Sequence, residues 1–427
     1  MNSDLYAALE RIGAQKDSIL TMQLDCASSH TTGPLSGLSI SIKDNIDVAG
    51  VTTTAASMAF RSRPPAKEDA AIVKRLCSAG ALVFAKTNMS EFAYSTLGVN
   101  AHYGTPRNPY PFEGGPRIAG GSSSGAAVAV ALGLGNAAIG TDTAGSARIP
   151  AALCGAVGFK PRQRRIPLDG VVPVSFSYDC IGILARSVRE IARVFESVAD
   201  VPNDVRAFAN GAQPYRLLVP IDAPDVELAP SNDVAEAFCA ALAALAADRR
   251  FEIVRQPFGL FRHALTMSAQ GGIAAPEAYA FHKPFLDTLH DLYDPFTLHR
   301  LSFGEKCSAE RYINLLARRR QLIAECRVQL SPFDGIVYPT CPIIAPTVAS
   351  LADPVFKIRT NSRLLQNTIA ANVLDLPSIT VPCGHLATTE AGPVGLSLDS
   401  SHGEEHVLRL ALVVEQVLGS KLAGGPY

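Results

Sequence analysis

The sequence predicts an α/β protein, with a large mixed, twisted β-sheet sandwiched between α-helices. Two observations carry this. Strand-like and helix-like segments alternate along most of the chain. The composition, 48% hydrophobic and 18% charged over 427 residues, suits a globular protein with an extensive core.

Each element has its own signal. LSISIK (38–43) alternates strictly, placing Leu38, Ile40 and Ile42 on one face and Ser39, Ser41 and Lys43 on the other. A helix over 69–79, ended by Gly80, leads into the strand ALVFAK at 81–86. Further strands are predicted at 216–220, 335–340, 378–382 and 394–398, and helices at 187–198, 232–246, 309–330 and 405–418. At the N-terminus Leu5, Ala8, Leu9 and Ile12 share one helical face. The stretch 202–214 reads as a surface connection that does not compel a domain boundary, so one domain over 1–427 is expected.

Bulk properties narrow the function. A formal net charge of −1 gives no electrostatic reason to expect nucleic acid or an anionic membrane as partner. The nine cysteines are scattered and never spaced as CxxC, which suggests neither a zinc site nor a disulfide framework, and no metal or organic cofactor is implied. A reducing cytoplasm is the expected setting. No basic region precedes an apolar core at the N-terminus, so no signal peptide is expected. The longest apolar run, 126–135, is half the ~20 residues a membrane-spanning helix needs.

AGGSSSGAAVAV (119–130) is the most unusual stretch. A flexible linker fits poorly, because the serines run straight into an apolar segment that must be buried. Gly121 to Gly125 satisfies GxSxG, but a nucleophile elbow needs an apolar strand before it, and 111–120 is loop-like. A serine–lysine SxxK pair ending at Lys43 would need serine at Ile40. Residues 133–138 mimic a dinucleotide fingerprint yet end an apparent helix instead of following a strand. Downstream, IGTDTAGSARIP (139–150) is a second turn with a lone serine, Ser146, among small residues. Such a loop lets backbone N–H groups approach a ligand closely.

Taken together, GLSISIKDNIDVAGVTTTAAS (37–57), GALVFAKTNMSEFA (80–93), YGTPRNPY (103–110), the run 119–161, DLPSITVPCG (375–384) and GPVGLSL (392–398) resemble the amidase signature family of serine hydrolases. The match is loose over 200–330. The resemblance implies the amidase signature fold and a Ser–cis-Ser–Lys triad: Ser146 as nucleophile, Ser122 as bridging serine and Lys43 as base. Ser146 follows Ser122 by 24 positions, the spacing the family pattern expects. It further implies an oxyanion cradle from the backbone N–H groups of Thr143, Ala144, Gly145 and Ser146. Asp142 and Arg148 are expected to brace this loop, and Ser123 and Ser124 to satisfy backbone groups. By pattern alone Lys86 and Lys160 would serve as well as Lys43.

The chain departs from the family pattern at Ala144, Ala147 and Arg162, none of which removes a catalytic group. The implied activity is hydrolysis of a small carboxamide, aliphatic or aryl, through an acyl-serine. Alternatives are an allophanate hydrolase, the glutaminase subunit of a transfer-RNA-dependent amidotransferase, or a non-catalytic binding module. The expected partner is a small amide, with a homodimer left open. The segment 277–295 is expected to wall the substrate pocket. Arg318, Arg319 and Arg320 are read as a solvated face in preference to a carboxylate site.

Overall fold

A computed structural model describes residues 3–24, 32–200, 214–221, 229–385 and 392–419. Cys26 and most of the 202–214 connection lie outside these residues. Among the described residues, eleven strands form one sheet. In chain order they are β1 (Leu20–Gln23), β2 (Ser39–Lys43), β3 (Leu82–Thr87), β4 (Ala137–Asp142), β5 (Val157–Lys160), β6 (Cys180–Ala185), β7 (Tyr215–Pro220), β8 (Phe251–Gln256), β9 (Gly335–Pro339), β10 (Ser378–His385) and β11 (Pro393–Asp399). Their spatial order is β1-β3-β2-β4-β6-β5-β10-β11-β9-β7-β8. The β3-β2-β4 and β9-β7-β8 groups are parallel, and the pairs between and beside them are antiparallel.

Successive residues on a strand feed different cores, as the two-residue period requires. Ile40, Ile42, Ala137, Ile139 and Leu217 pack under helices Ala71–Ser78, Val188–Val198, Asn232–Ala247 and Glu404–Leu418. On the other face, Ala138 and Leu184 meet helix Ser124–Ala131, while Leu218 and Ile336 meet Leu260–Ser268 and Ala309–Leu330. Some helix starts carry side-chain caps. Ser187 accepts the N–H of Glu190, and Ser308 that of Arg311; each cap contributes about 1 kcal/mol.

Helix Ser124–Ala131 explains the serine-glycine stretch structurally. Its first seven residues, Ser124 to Val130, are buried, so it has no polar face to present, and a helix apolar all round belongs in an interior. Its entry leaves no room for a side chain at Gly125, where a Cβ would lie 2.4 Å from the Ile19 carbonyl oxygen and 2.7 Å from the Asn88 backbone.

Within the segment 277–295, Phe281, Phe285 and Tyr293 build an aromatic cluster with Phe60, Phe92 and His282. The three arginines of helix Ala309–Leu330 differ from a uniformly solvated face. Arg319 donates to the carbonyls of Asn372 and Val373 and lies over the Tyr178 ring, whereas Arg318 pairs with Glu325 at the surface.

The close approach at Gly125 predicts that Gly125→Ala destabilises the fold by about 3 kcal/mol, because the obstructing atoms are backbone and cannot turn away. Thermal unfolding should show Tm lowered by several degrees; an unchanged Tm would contradict this packing.

Candidate active site

Lys43 is the last residue of β2, and Thr141 stands near the end of the neighbouring parallel strand β4. Both strands finish at the same edge, where α/β sheets commonly bind ligands. Lys43 is fully buried, and its Nζ donates to Ser122 Oγ at 2.8 Å and to Thr141 Oγ1 at 2.8 Å. Burial pulls the amine down from 10.5 to about 7, against the opposing attraction of Asp142 and Asp179. The rival lysines are placed otherwise. Lys86 is paired with Asp44 at 2.8 Å, and Lys160 donates to the Pro161 carbonyl at 2.8 Å.

Ser122 stands two residues before helix Ser124–Ala131, after a cis peptide bond from Gly121. Its turn is held by backbone hydrogen bonds: Gly121 N–H donates to Thr96 O at 2.7 Å, and Ser90 N–H to Ser122 O at 3.1 Å. Ser146 occupies the matching position before the short helix Arg148–Leu153. The two turns are tied together directly, since Ser123 N–H donates to Ser146 O at 3.1 Å. Lys43 and Ser122 are therefore in contact and Ser146 belongs to the same cluster of turns. No hydrogen bond joins the Ser122 and Ser146 hydroxyls among the described residues. Ser123 Oγ reaches the Thr141 carbonyl at 3.4 Å, while Ser124 Oγ has no partner among the described residues, contrary to the expectation that it satisfies the backbone.

The loop carrying Ser146 is organised by Asp142. Arg148 donates to this carboxylate from Nε at 3.0 Å and from Nη2 at 2.9 Å, with both side chains completely buried. Asn372 Nδ2 adds a bond at 3.1 Å. Burial pushes Asp142 up, but Arg148 outweighs it and holds the carboxyl well below the usual range, so it stays ionised. The same carboxylate takes the N–H groups of Gly145 at 2.9 Å and Ala147 at 3.2 Å. This corrects the expected oxyanion donors: the N–H of Gly145 is committed within the loop. Those of Thr143, Ala144 and Ser146 have no hydrogen bond to a described residue. Gly145 is there because its φ is +122° and a Cβ would sit 2.2 Å from Thr368 Oγ1.

Several residues of the site carried no warning in the sequence. Thr141 lies in the 139–150 segment that stood out by composition but was not itself singled out, and neither was Asn372. Asp179 lies just before β6, accepts the Thr143 hydroxyl at 2.6 Å, and takes the N–H groups of Val174 and Ser175 at 2.9 and 3.1 Å. Burial pushes its carboxyl up to about 6 against those three bonds. Arg162, one departure from the family pattern, binds Glu404 through its backbone N–H and guanidinium, away from these turns.

Beside the turns lies a cavity of about 350 Å³, lined among others by Tyr94, Phe296, Arg300, Asn361 and Leu365. Neither serine turn supplies a lining residue, but two of the cavity's lining residues connect to the turns through hydrogen bonds. Asn361 accepts the Thr96 N–H, and Thr96 O holds Gly121. The hydroxyl of Thr368 reaches both Leu365 O and Ala144 O. Arg300 donates to the Tyr94 carbonyl and lies 4.6 Å from the Tyr94 ring centre, with no ion pair to any described residue.

Comparison with known proteins agrees with this architecture. The family model described as Amidase matches residues 7–408. The chain is 34% identical over 404 residues to 2-amino-5-chloromuconic acid deaminase of Comamonas testosteroni, covering 92% of this chain and 85% of that one. It is 30% identical over 417 residues to one subunit of the glutamyl-tRNA(Gln) amidotransferase of Symbiobacterium thermophilum, covering 90% and 83%. A crystal structure of an amidase superposes with a TM-score of 0.83 at 32% identity, covering 97% of this chain and 95% of that one. The chain belongs to the amidase signature family, whose members hydrolyse amide carbon–nitrogen bonds.

Proposed function

We propose that this protein cleaves a small carboxamide through an acyl-enzyme on Ser146, with Ser122 as bridge and Lys43 as base. The contact between Lys43 Nζ and Ser122 Oγ, 2.8 Å in a fully buried setting, is the observation that carries this reading. A serine hydroxyl attacks only when a neighbour takes its proton, and an amine can do that only when neutral. Near neutrality Lys43 is neutral in a substantial fraction of molecules. In the proposed sequence Ser146 Oγ attacks the amide carbon while its proton passes to Ser122, whose own proton goes to Lys43. The oxyanion forms against the N–H groups of Thr143, Ala144 and Ser146. Losing one such donor typically costs about 3 kcal/mol of barrier. Lys43 and Ser122 then return a proton to the leaving nitrogen, ammonia or an amine departs, and water hydrolyses the ester by the same relay.

An amide that also carries a carboxylate is our proposed substrate class, and a cavity hydrogen-bonded to the turns supports it. Arg300 offers a guanidinium without a carboxylate partner there, and Tyr94, Phe296 and Phe303 share the wall with small, aliphatic and polar residues. The deaminase of Comamonas testosteroni is likewise named for an acid. Allophanate and glutamine both meet this description. Dependence on added partner proteins for glutaminase activity would favour the amidotransferase alternative over a free-standing enzyme.

Three outcomes test the reading. Lys43→Ala, Ser122→Ala and Ser146→Ala should each lower kcat at least a thousandfold, roughly the scale of a lost acid–base or nucleophilic group. Ser146→Ala should also abolish labelling by a fluorophosphonate, and the wild-type kcat/KM should fall as pH drops through about 7. Undiminished turnover in Lys43→Ala would end the assignment. For stability the sign is opposite to that of an ion-paired lysine. The unfolded chain holds the Lys43 proton up to 10.5 and the folded chain releases it near 7, so stability rises with pH across that window. Lys43→Met should therefore raise Tm most at and below pH 7 and progressively less toward pH 10. A gain independent of pH would contradict a neutral buried amine. Finally, Arg300→Ala should raise KM for a carboxylate-bearing amide by roughly 10- to 100-fold while leaving a neutral amide unaffected. Equal effects on both would remove Arg300 from substrate binding.

A further inference from the structure

The variable region contributes a buried acid that the reaction above does not use. Glu277, on helix Ala274–Leu289, is 5% exposed and has no cation in hydrogen-bond range among the described residues. Four donors surround it instead: Ser175 Oγ, Ser177 N–H at 3.0 Å, Ser177 Oγ at 2.5 Å and Tyr312 Oη at 2.6 Å. The two serines belong to the 174–179 loop, which closes onto Asp179 from within, since Val174 and Ser175 donate their N–H groups to its carboxylate. The remaining oxygen of Asp179 receives the Thr143 hydroxyl, and Thr143 opens the loop that leads to Ser146. A continuous hydrogen-bonded path thus runs from Tyr312 and Glu277 through Ser175 and Asp179 to Thr143.

We propose that Asp179 is a positioning residue for amide hydrolysis, fixing the Ser146 loop through the Thr143 hydroxyl, with Glu277 as the outer anchor that holds Asp179 in place. A carboxylate suits the task because it accepts several donors at once, and charge-assisted bonds hold their geometry more tightly than neutral ones. The region 274–330, which resembles the family least in sequence, acquires a defined duty: it clamps the loop on which the oxyanion would form. The charge of Asp179 also acts on the reaction. It attracts the ammonium form of Lys43, as does Asp142. Asp142 is itself countered by Arg148 and Lys160, and Asp179 faces Glu277. The Lys86–Asp44 pair on the neighbouring strand and turn completes the charged surroundings.

This inference rests on the Lys43–Ser122–Ser146 reading, and the experiment separates the two. Steady-state kinetics over a range of pH would be measured on one amide for wild type, Asp179→Asn, Thr143→Val, Thr143→Ser and the Asp179→Asn/Thr143→Val double variant. Asp179→Asn and Thr143→Val should each lower kcat roughly 10- to 100-fold with little change in KM, the scale of a misplaced reacting geometry. The double variant should be no worse than the poorer single one, because both cut the same bond, and Thr143→Ser should restore activity. Asp179→Asn alone should shift the acid limb of kcat/KM to lower pH, since Lys43 then loses one of its two attracting carboxylates; a merely structural role would leave that limb in place. Glu277→Gln should reproduce the kcat loss in milder form. Additive losses in the double variant, an unmoved acid limb, or an effect confined to KM would each overturn the proposal. Fluorophosphonate labelling of Ser146 retained in Asp179→Asn shows that the nucleophile itself survives. Failure of Lys43→Ala to lose activity would instead sink the underlying triad.

Discussion

An amine held out of water beside two carboxylates is the constraint on which this site depends. Either carboxylate alone would keep Lys43 protonated if it were free to act. The fold prevents that in two ways. Arg148 is locked against Asp142 by paired hydrogen bonds in a fully buried pocket, so much of that negative charge is answered before Lys43 feels it. Asp179 is buried deeply enough that its own carboxyl is drawn up to about 6. Desolvation of Lys43 then prevails, and the amine settles near neutrality. Holding the amine near 7 instead of 10.5 costs about 4 kcal/mol at neutral pH, which the large two-sided core must offset.

The same buried pair also shapes the backbone. Asp142 ends β4, and its carboxylate turns back to collect N–H groups from Gly145 and Ala147, which bends the chain into the turn that carries Ser146. The helix after that turn packs on the sheet because Ala147, Ala151 and Cys154 are small and apolar. Gly158 and Gly182 on the adjoining strands leave space for it, since a Cβ on either would strike Ala147 or Ala151. Electrostatics and packing therefore act on one segment: the ion pair fixes the loop's curvature, and the absence of side chains beneath lets that loop lie close to Ser123 and Lys43.

Much of this was legible in the residues. Strict alternation in LSISIK placed Lys43 at the end of a strand, and that strand is observed as Ser39–Lys43. The helix over 309–330 is observed at those bounds, and Gly80, with φ of +92°, follows the helix it was expected to end. Less was readable where the chain lacks pattern. β4, AAIGTD, is poor in the branched and aromatic residues that favour strands; it is a strand because β2 and β6 pair with both its edges. β5 and β6 are short, buried on all sides and devoid of polar alternation. At the site, the serine-glycine turn and Ser146 stood out through composition. Asp179, Asn372 and Arg300 did not, because a single acid, amide or base in a loop or helix gains meaning only from long-range neighbours. The Gly145 N–H, expected among the oxyanion donors, is instead taken by the Asp142 carboxylate three residues earlier, a local contact of the kind short acidic side chains make in turns.

Observing the proton on Lys43 itself is the most direct test of a neutral buried base. Nitrogen-15 NMR of protein labelled at lysine Nζ, followed over pH, should reveal one amine that titrates near 7 and is missing from the spectrum of a variant lacking that side chain. If every lysine Nζ remains an ammonium until the pH approaches 10, the buried amine is charged at neutrality and cannot serve as the base.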